Sequence, residues 1–310
     1  MVTPPKKRIL LFGASKGGET FIRHNTEHQV VAIADNDPSK WGKKLLDQYP
    51  IIAPESIPQL DYDEIVITSL WIDSIHPQLT QTLGVPPERI RVPHKREMKA
   101  HYPFQHPETL TLAHELLIQT TRWLKKHQLD YYLDSGTLLG LVREGDLIAW
   151  DDDIDVALNP DAFNQLIQLA PSLYQALPRP TEINWSIWIH SQADEDVLVN
   201  LEFESIQPEA YLPFDLSLLL RRPLGDQSEL VSSAGIFSAP VHHFSGHTQL
   251  SALGESFQVP QDYEAFLTFM YGEWRKPRKN MALNDYDNRQ VFTGIDPRSI
   301  SIRKRLVEPA

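Results

Sequence analysis

Apolar positions are patterned in two ways along this chain. From residue 8 to residue 92, short wholly apolar runs alternate with amphipathic stretches. Ile9-Leu10-Leu11-Phe12 reads as a buried strand, Gly13 to Gly18 as a glycine-rich turn, and Glu19 to Asn25 as the start of a helix. Val30 to Ala34 is a second strand ending at Asp35, and Glu64 to Thr68 is a third. A helix over Ile72–Leu83 is closed by Gly84. Strands that are apolar on both faces, separated by helices, predict a small, mostly parallel α/β sheet.

The pattern breaks between Pro93 and Pro107, where prolines, histidines and basic residues cluster without periodicity. The expected organisation is a first domain over 1–96, a linker over 97–107 and a second domain over 108–310. Leu110, Ala113, Leu117, Thr120 or Thr121, and Leu124 recur at helical spacing, with Leu116 and Trp123 widening the stripe. A strand at Tyr131-Tyr132-Leu133 follows. Later, Asn159-Pro160 predicts a capped helix carrying Phe163, Leu166, Ile167 and Ala170, and Ile183–Ile189, Val197–Phe203 and Phe214–Leu220 read as strands. The polar final 35 residues are expected to form an extended tail.

Composition narrows the function classes. The net charge of −12 over 310 residues excludes broad nucleic-acid binding, and the absence of cysteine excludes disulfides and thiolate-held metals. Hard, oxygen-ligated ions such as Mg2+ or Mn2+ remain. The apolar run Ile9–Phe12 is too short for a signal peptide or membrane span, so a cytoplasmic protein with no integral membrane segment is expected.

Two stretches carry candidate chemistry. Gly13-Ala14-Ser15-Lys16-Gly17-Gly18 lies between a strand and a helix, with Asp35 ending the next strand. That layout suits a nucleotide or nucleotide-sugar site in which Gly13, Ser15 and Gly17 admit phosphates and Asp35 takes a ribose hydroxyl. Ser15 stands where a glycine is expected, and a purely structural turn is the equal alternative. A nucleophile elbow is excluded because only twelve residues precede the turn, and a Walker loop because Glu19, not lysine, follows Gly18. This region resembles the Rossmann-like N-terminal domains of bacterial sugar acetyltransferases, through Leu10–Ala14, Ile33–Asp37 and Tyr62–Ile67.

The second stretch is Trp150-Asp151-Asp152-Asp153-Ile154-Asp155-Val156. Carboxylates this crowded repel one another unless a divalent cation intervenes. Alternation along a strand puts Asp151, Asp153 and Asp155 on one face and turns Asp152 away. Gly136-Thr137 opens a helix just upstream whose start is expected to cradle a phosphate, with Arg143 adding a contact. A metal-holding strand opposite such a helix start is the layout of nucleotidyltransferase-fold sites. Asp215 is the expected third carboxylate, with Glu202 or Glu204 as alternatives.

Leu133-Asp134-Ser135-Gly136-Thr137-Leu138-Leu139-Gly140-Leu141-Val142-Arg143, followed by the acidic run, resembles the signature of the LicD family, which includes phosphocholine transferases and is similar to the fukutins. Val259–Leu267 and Tyr271–Pro277 extend the resemblance. It implies Mg2+-dependent transfer of a phosphorylated alcohol from a CDP-linked donor to a glycan acceptor. Asp153, Asp155 and Asp215 would be metal ligands, while Asp134 would orient the glycine turn or the acceptor. Two further clusters stand apart. His242, His243 and His247 suggest a zinc site but lack a cysteine or an acid at ligand spacing and read as a loop or strand-end cluster, while Arg275, Lys276, Arg278 and Lys279 suit a solvated tail or an anionic ligand.

Overall fold

The computed structural model describes residues 6–25, 27–69, 71–98, 102–192, 194–207, 209–232, 235–278, 289–290 and 302–310. The chain divides into two compact units, Met1–Ala100 with Asn280–Asp285, and His101–Lys279 with Tyr286–Ala310.

The first unit contains β1 (Lys7–Phe12), α1 (Lys16–His24), β2 (His28–Ala34), β3 (Lys44–Leu45), β4 (Tyr49–Ile52), β5 (Glu64–Ile67), α2 (Ile72–Pro77) and β6 (Ile90–Arg91). They form one sheet in the order β3-β4-β2-β1-β5-β6, parallel except at the β3 edge. Alternate residues of the central strand feed two cores. Leu10 and Phe12 pack with Ile65, Ile67 and Ile75 on one face, and Ile9 and Leu11 pack with Phe21, Ile33 and Val66 on the other. That double burial is why β1 reads as an unbroken apolar run. The expected Ile72–Leu83 helix is shorter in its regular part, because Pro77 cannot sustain the ladder and the chain continues as a wider turn over Gln78–Thr82. Strand order reverses at β1, between β2 and β5, as in Rossmann-like sheets.

The second unit contains α3 (Pro107–Lys126), β7 (Tyr131–Leu133), α4 (Ser135–Arg143), β8 (Asp153–Leu158), α5 (Pro160–Leu173), β9 (Ile183–Gln192), β10 (Glu195–Ser205), β11 (Asp215–Leu224), β12 (Gln227–Ser232), β13 (Gly235–Pro240), β14 (His247–Ala252), β15 (Glu255–Pro260), α6 (Tyr263–Tyr271), β16 (Arg289–Gln290) and β17 (Ile302–Leu306). The stripe on α3 is buried as its periodicity predicts, and Asn159 caps α5 by accepting from the Ala162 N–H at 2.9 Å. The central strands run β8, β11, β10, β9, β17, with β7 against the free side of β8. The β8–β11 pairing is parallel, while β7–β8, β10–β11 and β9–β10 are antiparallel. The expected extended tail is corrected in part. Residues 302–306 form a strand on β9, fastened by an Arg305–Asp196 ion pair that holds the Asp196 carboxyl below its usual range. Much of the rest of that tail lies outside the described residues. Among the described residues, no helix is long and apolar enough to cross a membrane.

Candidate active site

Pleating decides where the acids go. Ile154, Val156 and Leu158 of β8 and Leu216, Leu218 and Leu220 of β11 enter the main core, which turns Asp153, Asp155, Asp215 and Ser217 to the opposite face. The parallel register sets Asp215 beside Asp153 and Ser217 beside Asp155. One strand further, Asn200 pairs with Ser217, and its side chain bonds the Glu202 carboxylate at 3.0 Å. The result is an acidic platform across three strands.

Three carboxylates crowd the edge of that platform. Oxygens of Asp151, Asp152 and Asp153 lie within 4.8 Å of one another, a spacing that one divalent cation can bridge. Burial, and then the charges of Asp152 and Glu202, push the Asp215 carboxyl up to about 6. The expectation that Asp152 points away is therefore corrected. The strand begins only at Asp153, so alternation does not extend to Asp151 and Asp152, and both turn back toward the platform. Glu202 stands next to Asp215, whereas Glu204 is exposed further along β10.

Helix α4 braces this edge. The Asp155 N–H donates to Thr137 Oγ1 at 2.8 Å, and the Asp134 N–H donates to the Asp155 carbonyl at 3.2 Å. The buried Thr137 hydroxyl, which the sequence assigns to a nucleotide site, thus holds the acidic strand. Gly136 is required by the Asp151 carboxylate, because a Cβ there would overlap Asp151 Oδ2. Consequently Asp151 occupies the helix start that was expected to cradle a phosphate. Gly136→Ala should displace that carboxylate and weaken Mg2+ or Mn2+ binding about tenfold in calorimetry while the helix persists. Unchanged affinity would show that Asp151 does not contribute.

Asp134 is fully buried. Its Oδ1 accepts from the Ser135 N–H at 2.7 Å, and its Oδ2 is held by Arg221 at 2.8 and 2.9 Å. It orients the glycine turn, in which Ser135 sits at φ 50, and the acceptor role is excluded by burial. Arg143 is likewise engaged. It bonds Glu144 at 2.6 Å and the Trp274 carbonyl at 3.2 Å, which joins the two stretches that carry the resemblance and leaves little guanidinium for a phosphate. Arg221 had a signal in the sequence, since it shares strand parity with Asp215 and Ser217 and a charge inside a leucine-rich strand demands a partner.

In the first unit, Asp35 is used internally. Its Oδ2 accepts from the Ala14 N–H at 2.7 Å and pairs with Lys40 at 3.0 Å, while Oδ1 accepts from the Asp37 N–H. Side chains at Gly17 and Gly18 would strike the carbonyls of Thr68 and Gly13. Glycine is needed there for close packing of α1 on β5 and β1, and the ribose role of Asp35 is not what its bonds show. Gly13, at φ 124, makes the turn itself, and Ser15 precedes α1 without a side-chain cap bond. In the second unit, Arg275 pairs with Glu264 and lies over the Trp274 ring, and Lys276 lies 3.7 Å from Glu273, with both basic side chains largely exposed. Lys279 lies outside the described residues.

Residues 128–214 match the family model LicD/FKTN/FKRP, nucleotidyltransferase domain, and residues 5–91 match C2185-like, N-terminal. An uncharacterized protein of Rickettsia prowazekii is 36% identical over 62 residues, which are 20% of this chain and 23% of that protein. One of Rickettsia typhi is 34% identical over 62 residues, 20% of each. The chain thus matches less than a quarter of the length of these curated relatives. The WlbA dehydrogenase of Bordetella pertussis, solved with NADH and UDP-GlcNAcA, is 12% identical, with 89% of this chain and 86% of that one covered, at a TM-score of 0.27. A score that low adds nothing to the topology described above. With the acidic platform lying at residues 151–155 and 215, the chain carries a LicD-family nucleotidyltransferase domain behind a Rossmann-like N-terminal domain.

Proposed function

We propose that the second unit transfers a phosphorylated alcohol, such as phosphocholine or a polyol phosphate, from a CDP-linked donor to a hydroxyl of a cell-surface glycan. The observation that carries this reading is the parallel β8–β11 pairing, which sets Asp153 and Asp155 beside Asp215 on one polar face. The donor set fits a hard divalent ion. It is all oxygen, its Asp215 carboxyl is pushed up by burial and then by the charges of Asp152 and Glu202, and its strands are braced by Thr137.

Asp153, Asp155 and Asp215 would hold Mg2+ or Mn2+, with Asp151 and Asp152 adjoining. The ion would supply charge neutralisation at the donor diphosphate. The chain's own part is positioning, as in other phosphoryl transfers. The rigid β8–β11 pair fixes the carboxylates, and the Asp134–Arg221 pair fixes the turn that backs them. In the transfer, the acceptor hydroxyl oxygen bonds the distal phosphorus as the P–O bond to CMP breaks, CMP leaving with the bonding electron pair and the hydroxyl proton passing to water. We place the reaction in the cytoplasm, where CDP-linked donors are available.

Incubation of the protein with CDP-choline, CDP-ribitol or CDP-glycerol, Mg2+ and a glycan acceptor should release CMP, and Asp153→Asn should abolish the release. Pyrophosphate release from an NTP instead would favour nucleotidyl transfer. Failure to bind Mg2+ or any CDP-alcohol would favour a non-catalytic binding protein. In the first unit, the internal use of Asp35 and the Ala14 N–H favours the structural turn over a nucleotide site.

A further inference from the structure

Along the sequence, the histidine pair His242-His243 has no acid at ligand spacing. The fold supplies one. Asp262, which immediately precedes α6, brings Oδ2 to 2.9 Å from His243 Nδ1 and 3.9 Å from His242 Nε2. One potential ligand atom from each of the three residues lies within 4.8 Å of the others. Tetrahedral coordination with bonds of about 2.0–2.2 Å implies ligand-to-ligand separations of roughly 3.3–3.6 Å, and the two measured distances bracket that range. His247, the third histidine of the sequence cluster, is not part of the group and instead lies 3.3 Å from Gln258.

We propose that His242, His243 and Asp262 form a second metal site, of the zinc class, distinct from the acidic platform. Three observations converge on it. Asp262 occupies the N-cap position yet makes no capping bond, and both its oxygens lie 2.9 Å from His243 Nδ1. His243 is 4% exposed and lies among the rings of Phe244, Phe266 and Phe269, an apolar surrounding that holds its imidazole in place. The His242 ring, although mostly solvent-facing, leans to the same carboxylate, which a simple His243–Asp262 hydrogen bond would not require. Two imidazoles and one carboxylate suit zinc, whereas the all-oxygen platform suits magnesium, so one chain would sort two metals by ligand type.

A bound ion would clamp the turn at Val241–Phe244 to the start of α6. Phe244 is central to the brace of the platform. Its carbonyl accepts from the Tyr132 hydroxyl at 3.2 Å, and its ring lies 4.2 Å from the guanidinium of Arg221, which holds Asp134. The zinc site is thus a clamp two contacts away from the glycine turn.

The test uses the full chain, stripped with a chelator and held in excess Mg2+ to occupy the platform. Titration with Zn2+ alone should show one tight site and a raised melting temperature, and Co2+ should give the intense visible bands of four-coordination. His242→Ala alters an exposed side chain, so its fold should persist. It should weaken Zn2+ binding by at least about tenfold and remove the Co2+ bands. Asp262→Asn should do the same. Parent-like affinity and spectra in both variants, or no Zn2+ uptake at micromolar concentration, would overturn the proposal.

Discussion

Asp215→Asn should make the protein more stable in EDTA and unable to bind Mg2+. The folded carboxyl titrates at about 6 against an ordinary value of 3.8, because it is buried near Asp152 and Glu202. The folded state therefore binds this proton more tightly than the unfolded state. The stability it contributes is fully present below the unfolded value, is lost as pH rises through about 6, and is absent at neutrality. Every tenfold difference in proton affinity between the two states is worth about 1.4 kcal/mol, so removing the charge should return roughly 2–3 kcal/mol at pH 7 and raise the melting temperature by several degrees. Below about pH 4 the two proteins should converge. Saturating Mg2+ should reverse the ranking, stabilising the parent and leaving the variant unmoved. A variant less stable than the parent in EDTA, or still stabilised by Mg2+, would remove Asp215 from the metal site.

Arg221→Leu should cost about 3–5 kcal/mol, the largest loss expected from a single change outside the aromatic core. Both partners of the Asp134–Arg221 pair are almost fully buried, at 1% and 2% side-chain exposure, so truncating one strands the other without water. Asp134 also caps α4 through the Ser135 N–H, and Ser135 sits in the left-handed region. Loosening this turn should release strain and detach Thr137 from the Asp155 N–H. In urea unfolding, the single variants Asp134→Asn and Arg221→Leu should each be strongly destabilised, and the double variant should lose clearly less than their sum. Additive losses would mean that the pair is not coupled. Restoring the stability of the double variant by substitutions elsewhere should also restore much of the activity, since both side chains are buried.

How far the sequence reveals this site depends on sequence distance. The acidic run and the Gly136-Thr137 turn are local, and their partnership follows from a strand and helix start only a few residues long. Arg221 lies 87 residues from Asp134, and Asp262 lies 19 from His243, so neither pairing is visible in local spacing. Helices and capped turns were legible for the same reason: α3 and α5 are set by periodicity and by Asn159, both local. The strands at 227–260 were not legible, because short, mostly polar strands are defined by their partners and not by their own alternation.

From the sequence alone follow the two-domain order, the parallel sheet of the first unit, the acidic run of the second and the family resemblance. Each of these rests on composition, periodicity or contiguous motifs. Long-range packing sets which acids share a face, that Asp152 joins them, that Asp134 and Arg143 are committed internally, and that Asp262 meets the histidine pair. Those outcomes depend on strand register and on the demand that every buried charge find a partner, and both are satisfied between segments far apart in the chain.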